Sequence, residues 1–314
     1  MENHDHLSNP TLNSSSSNTS SYDLLKIVYD PQNVNLDYFR DIPLNTQNKT
    51  WIRLFRPDIS LDMNKLPLIV YFHSGGFSCP VTSVHHDFCK SMAIHLPVNH
   101  RLSPENRLSA TYEDAEDALF WVQNQALDAV NGDPWLRGYV DFSECFIMGC
   151  SSGGNIAYHV GLRSLELNLE PIQISGLILN QPYFGGLERT GSELRLINDK
   201  VLSLAKTDVM WELALPHGAN RDHWYCNSIA KDATSRKKLD DERLIKWRCL
   251  VTGFTQDLLI DRQIEFVKML ENESPMKVVS LMKDGGYRLV AHFDSEIAEE
   301  LFNVMREIIF SSSK

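Results

Sequence analysis

The sequence predicts an α/β protein, a mostly parallel sheet with helices on both faces. Three observations carry this. Short apolar runs alternate with segments whose apolar residues recur at helical spacing, the pattern of strand–helix–strand units. One run, residues 66–72, is almost continuously apolar, as a strand buried on both faces requires. A tight turn, Gly149-Cys150-Ser151-Ser152-Gly153, joins the apolar run Cys145-Phe146-Ile147-Met148 to a helix-like stretch over 155–165.

In chain order, residues 1–20 are polar and include four consecutive serines, Ser14 to Ser17, which predicts a disordered tail. Residues 21–314 read as a single domain. Its first part, 21–45, is expected to form a lid piece, with Leu24, Leu25, Ile27 and Val28 in a short helix. Trp51, Ile52 and Leu54 predict an edge strand over 49–55, and 66–72 follows as a buried strand. Ala115, Ala118, Leu119 and Val122 lie at helical spacing over 112–126, with acidic residues early in the stretch, where they suit a helix N-terminus. Strands are expected over 174–179, 248–252 and 277–281, the last two separated by a helix over 261–270. Residues 183–245 break this rhythm and read as a cap inserted over the sheet, with Phe184, Trp211 and Trp224 as pocket walls or core residues.

Composition narrows the function classes. A net charge of -11 argues against nucleic acid or an anionic membrane as the main partner, and 43% hydrophobic residues suffice for a substantial core. The six cysteines form no C-x-x-C pair and no ligand spacing with histidine, so neither zinc nor another metal is expected. Cys145 and Cys249 lie in apolar runs and read as small core residues. No segment resembles a signal peptide and no run has the length of a membrane span, which points to a cytosolic setting.

The chemistry begins at Ser151. A serine at the apex of a strand-to-helix turn flanked by glycines is the nucleophile-elbow arrangement, in which the turn lifts the hydroxyl above the sheet. Upstream, His73-Ser74-Gly75-Gly76-Phe77 directly follows a strand. Consecutive glycines let backbone N–H groups converge on one point, so Gly75 and Gly76, with the N–H of Ser152, can hold a developing oxyanion. The serine needs a base, and the base an orienting carboxylate, in the order serine, acid, histidine. Asp257 lies just after the 248–252 strand, where the acid belongs, and Asp261 is the fallback, with a helix N-terminal role as its alternative. The histidine should follow 277–281, and the one histidine there is His292, whose apolar flanks are more often those of a packed core residue than of a base; it reaches the serine only if the loop is remodelled or the segment is helical and turns it inward.

These residues carry a resemblance. His73-Ser74-Gly75-Gly76-Phe77, the stretch from Asn99-His100-Arg101 to Leu108, Tyr112-Glu113-Asp114-Ala115, Gly149 to Asn155, and Asp257-Leu258-Leu259-Ile260-Asp261-Arg262-Gln263 together resemble the plant carboxylesterase family of hormone-sensitive-lipase-like α/β-hydrolases, related to the gibberellin receptors. The resemblance implies an α/β-hydrolase fold with an N-terminal lid, no cofactor, and a small-molecule ester or organic acid as ligand. It implies Ser151 as nucleophile, Asp257 as acid, and Gly75, Gly76 and Ser152 as oxyanion donors.

Three departures stand out. Ser74 replaces the first glycine of the family's H-G-G-G loop, at a position that donates nothing to the oxyanion. Arg288 stands where the family carries its histidine, and a guanidinium is no base near neutral pH. Finally, the family's strand before the Arg101 motif is abbreviated: either 96–100 forms a minimal strand with Pro97 at its start, or the chain is a variant lacking it. The expected function is therefore a serine carboxylesterase. The alternatives on the same scaffold are a non-hydrolytic binder, in which Arg288 pairs with a ligand carboxylate, and a lyase or cyclase.

Overall fold

The computed structural model describes residues 39–56, 65–80, 89, 95–230, 238–286 and 296–311. Its strands are β1 (Phe39–Asn45), β2 (Thr50–Phe55), β3 (Leu66–Phe72), β4 (His95–Asn99), β5 (Val140–Cys150), β6 (Ile174–Asn180), β7 (Arg248–Gln256) and β8 (Lys277–Gly286). They form one sheet in the order β1-β2-β4-β3-β5-β6-β7-β8. β1–β2 and β2–β4 are antiparallel and every later pairing is parallel. Parallel neighbours need crossovers, and from β4 to β8 the connections carry helices: α1 (Ala110–Leu127), α2 (Pro134–Tyr139), α3 (Ser152–Ser164), α4 (Gly191–Arg195), α5 (Leu204–Ala214) and α6 (Ile260–Glu273), while α7 (Glu296–Phe310) follows the last strand.

The apolar run of β3 serves both faces. Leu68, Val70 and Phe72 join the core containing Tyr112, Ala115 and Leu119 of α1 and Ile156 and Val160 of α3. Ile69 and Tyr71 join the opposite core, with Phe146 and Met148 of β5 and Met305, Ile308 and Ile309 of α7. Side chains alternate across a strand, so a sheet covered on both sides consumes apolar residues at every position. Cys145 and Cys249 are buried, as their apolar contexts predict. No described helix is long and apolar enough to cross a membrane.

The abbreviated strand exists. β4 pairs with β3 through His95, Leu96, Pro97 and Val98 and with β2 through His95, Val98 and Asn99. Its five residues start one position earlier than expected, so Pro97 is third in the strand and His100 lies outside it. Leu96 and Val98 are fully packed, and the His95 ring stacks on Phe55 at 4.5 Å. Residues 49–55 are not the sheet edge: β1 covers β2, and β1 is the end of the stretch expected to be lid. β7 and β8 run further than predicted because their ladder continues from Arg248↔Lys277 to Gln256↔Gly286. The expected tail and the helix within 21–45 lie outside the described residues.

Candidate active site

Parallel strands place their C-terminal ends together. β3 delivers the 73–77 loop, β5 delivers Ser151, β7 delivers Asp257, and β8 ends at Gly286 on the same side of the sheet.

Ser151 has φ 55° and ψ -118°, a left-handed backbone that a non-glycine residue adopts only when its surroundings force it. The constraint is visible at both glycines. A Cβ on Gly153 would collide with the carbonyl oxygen of Phe72 and lie 2.7 Å from that of His73. A Cβ on Gly149 would collide with the Gly153 carbonyl and lie 2.7 Å from the Gly154 nitrogen. The first turn of α3 therefore rests directly on the start of the 73–77 loop. The Ser151 N–H donates to Asn180 O at 2.9 Å, and its carbonyl accepts from Tyr183 N at 2.9 Å and Asn155 N at 3.2 Å.

The 73–77 loop turns through three left-handed residues, with φ 132° at Gly75, 58° at Gly76 and 64° at Phe77. The Gly75 carbonyl accepts from Ser78 N at 3.1 Å and Cys79 N at 3.0 Å, which closes the turn. No described backbone carbonyl accepts from the N–H groups of Gly75 or Gly76. Behind the loop, the buried rings of His73 and His100 stack at 4.4 Å and 5°. Nδ1 of His73 donates to Ser74 O at 2.7 Å and Nδ1 of His100 to Arg101 O at 2.9 Å. Burial lowers their pKa values to about 4 and about 3, so this pair is neutral.

Asp257 is fully buried. Its Oδ1 accepts from Leu259 N at 3.0 Å, and its Oδ2 has no hydrogen-bond partner among the described residues. Burial raises its carboxyl to about 7, against the opposing pull of the Leu259 N–H and of the Gln263 side-chain amide. Asp261, the fallback acid, is engaged elsewhere: its Oδ2 accepts from Ser192 N at 2.6 Å and tethers α4. Residues 287–295, with Arg288 and His292, lie outside the described residues. The last residue of β8, Gly286, pairs with Gln256, the neighbour of Asp257.

The remaining motif residues frame this site. Arg101 binds Asp114 through its backbone N–H at 2.6 Å and its Nε at 2.8 Å. Tyr112 Oη donates to Asn155 Oδ1 at 2.8 Å, and Asn155 Nδ2 donates to the carbonyls of Tyr183 and Tyr225 at 3.1 and 2.8 Å. Arg262 pairs with Glu193 at 3.2 Å, a second tie between α6 and α4. Sequence reasoning could not assign these ties, because nothing in the chain announces which polar residues pair across long separations. Of the expected pocket walls, Phe184 and Trp211 are core residues. Trp224 lines a polar cavity of about 720 Å³ with Arg189, Asp222, His223 and Arg262, and that lining contains none of Ser151, Gly75, Gly76 or Asp257. No group of three or more metal-ligating side chains occurs among the described residues.

A family model described as alpha/beta hydrolase fold matches residues 69–285. A 3-O-acetylpapaveroxine carboxylesterase of Papaver somniferum is 49% identical over 92% of this chain and 99% of its own. A gibberellin receptor of Oryza sativa subsp. japonica is more distant, at 34% identity over 68% of this chain and 58% of the receptor. Among solved structures, an esterase of Pyrobaculum calidifontis superposes with a TM-score of 0.71 at 21% identity, covering 91% of this chain and 88% of the esterase, a likeness of fold. With its elbow, loop and sheet order, the chain belongs to the carboxylesterase-like α/β-hydrolases, among the plant carboxylesterases.

Proposed function

We propose that this protein is a serine carboxylesterase for small esters. The observation that carries the reading is the backbone of Ser151, a non-glycine residue held at φ 55° between two glycines that admit no side chain. Such strain persists only where the surrounding structure over-determines it, and it sets the serine hydroxyl at the head of α3.

In this reading Ser151 Oγ attacks the ester carbonyl while His292 takes the hydroxyl proton. The carbonyl oxygen becomes an oxyanion facing the N–H groups of Gly75, Gly76 and Ser152. The base returns the proton to the departing alcohol, leaving an acyl-serine that water then hydrolyses by the same route. Asp257 orients the base. Its buried Oδ2 requires a donor, and an imidazole N–H supplies one and becomes cationic as the carboxylate needs. Support for His292 comes from β8, whose last pair, Gln256↔Gly286, lies one residue from Asp257, with His292 following Gly286 by six residues in the sequence. All six cysteines are free, which fits a reducing, cytosolic setting.

p-Nitrophenyl acetate is a direct test. Wild type is expected to turn it over, Ser151→Ala and His292→Ala to lose that activity, and Arg288→Ala to keep it. A wild type that is folded yet inert towards every acyl length contradicts the reading. The receptor-like alternative rests on Arg288 at the family's histidine position. It requires saturable binding of a small organic acid that Arg288→Ala abolishes.

A further inference from the structure

We propose that Met210 is a positioning residue for the oxyanion loop, its thioether fixing where the Gly76 N–H points. The inference rests on the esterase reading and adds to it a residue that neither the elbow nor the acid motif contains.

Met210 lies on α5, within the stretch 183–245 that reads as a cap in the sequence. A Cβ on Gly76 would collide with Met210 Sδ and would lie 3.0 Å from its Cγ and 3.2 Å from its Cε. The whole end of the side chain is therefore packed where a residue other than glycine would carry its own side chain. Gly76 has φ 58°. In this conformation a glycine has no side chain to restrict its peptide plane, so what lies against it limits its motion.

The helix that presents Met210 is itself fixed. Arg107 Nη1 donates to the carbonyls of Glu212 and Leu215 at 2.6 and 2.7 Å, and Leu108 N donates to Ala214 O at 2.8 Å. Tyr183 Oη donates to Thr207 O at 2.9 Å. Asp208 is paired with both Arg189 and Arg221. Trp211, the next residue, stacks on Tyr183 at 4.6 Å and lies 5.3 Å from the Phe77 ring, so α5 packs against the loop at two successive residues, Gly76 and Phe77. Arg107 and Leu108 belong to the motif after β4, which gives that motif a role: it locks the capping helix over the oxyanion loop.

An oxyanion donor works only if its N–H is held where charge develops, and small misplacements are expensive in rate. Steady-state hydrolysis of p-nitrophenyl acetate by wild type, Met210→Ala and Met210→Leu, each checked for native circular dichroism, tests this. Met210→Ala is expected to lower kcat by about tenfold or more, with KM changed by less than about threefold. Met210→Leu, which conserves volume, is expected to keep kcat within about threefold of wild type. If Met210→Ala does not fold, Met210→Val replaces it, with a smaller fall in kcat expected. Wild-type turnover with kcat unchanged in Met210→Ala or Met210→Val overturns the role of Met210 alone. A change confined to KM, or a loss that Met210→Leu shares, does the same. A folded wild type without turnover overturns the esterase reading together with this inference.

Discussion

At the scale of single residues, Ser151 and Asp257 differ in what the sequence could say about them. The elbow was legible because its glycines are sterically obligatory: both would collide with backbone if they carried a Cβ. The sequence favoured Asp257 by its position after the strand and kept Asp261, one helical turn later, as the fallback. Burial and partners separate them, because Asp261 is bound to Ser192 while Asp257 keeps a bare buried oxygen among the described residues. The assignment of Asp257 predicts that Asp257→Asn lowers kcat by about 10³–10⁴-fold in a protein that still folds, since the amide no longer holds the base in its working tautomer. A loss of less than about tenfold in steady-state assays argues against it. The raised carboxyl also sets a direction for pH. With a value of about 7, Asp257 becomes protonated as pH falls, and a protonated acid no longer accepts the imidazole N–H. Esterase activity should therefore decline as pH falls through about 7, and a pH–rate profile flat from 8 to 5 contradicts this. The base was the least legible residue, because Arg288 occupies the family's position and His292 has only its order in the chain to recommend it.

At the scale of elements, the strands and helices with a clear period were legible and the ties between them were not. β3 and β6 fall where the apolar runs place them, to within a residue. β1 escaped because FRDIPLN has no buried residue on its antiparallel edge, exposes Asp41 and Pro43, and offers no apolar run. β4 was ambiguous because five residues interrupted by proline make a weak signal, and only pairing on both sides stabilises them. The head of α3 is the most constrained junction. Gly153→Ala should abolish soluble, folded protein, because its methyl has backbone rather than a movable side chain in its way. Recovery of a native-like variant by size-exclusion chromatography and circular dichroism would count against the packing described. Asn155 ties α3 to α1 and to the carbonyls of Tyr183 and Tyr225. Asn155→Ala removes these three hydrogen bonds between buried groups and should cost about 3 kcal/mol in urea denaturation. A loss under about 1 kcal/mol would show that water or rearrangement replaces those bonds.

At the scale of the whole molecule, the fold class and sheet direction followed from the alternation of strands and helices. The buried titratable groups were invisible in the sequence, because a histidine reads the same in a core as in a site. His159 shows the consequence. It is buried among Tyr112, Tyr158 and Trp224, with ring centroids 5.0, 5.1 and 4.9 Å away. Burial lowers its pKa from 6.5 to about 3. A folded-state value below the unfolded one means that its contribution is complete above pH 6.5 and is lost as pH falls towards 3. Within that window the loss approaches about 1.4 kcal/mol per pH unit. His159→Phe should therefore lose less stability than wild type between pH 7 and pH 5, by up to about 2 kcal/mol in urea titrations. Identical losses in the two proteins would contradict its neutral burial.

The central claim is that Ser151 is activated, and a serine-directed phosphonate tests it most directly. Only a deprotonated serine facing organised oxyanion donors attacks such a reagent at a useful rate. Intact-mass and peptide mapping of treated full-length protein should show one adduct per chain, on the peptide containing Ser151, and none in Ser151→Ala. A folded wild-type protein that remains unmodified would contradict the claim and leave the elbow as architecture without a working base.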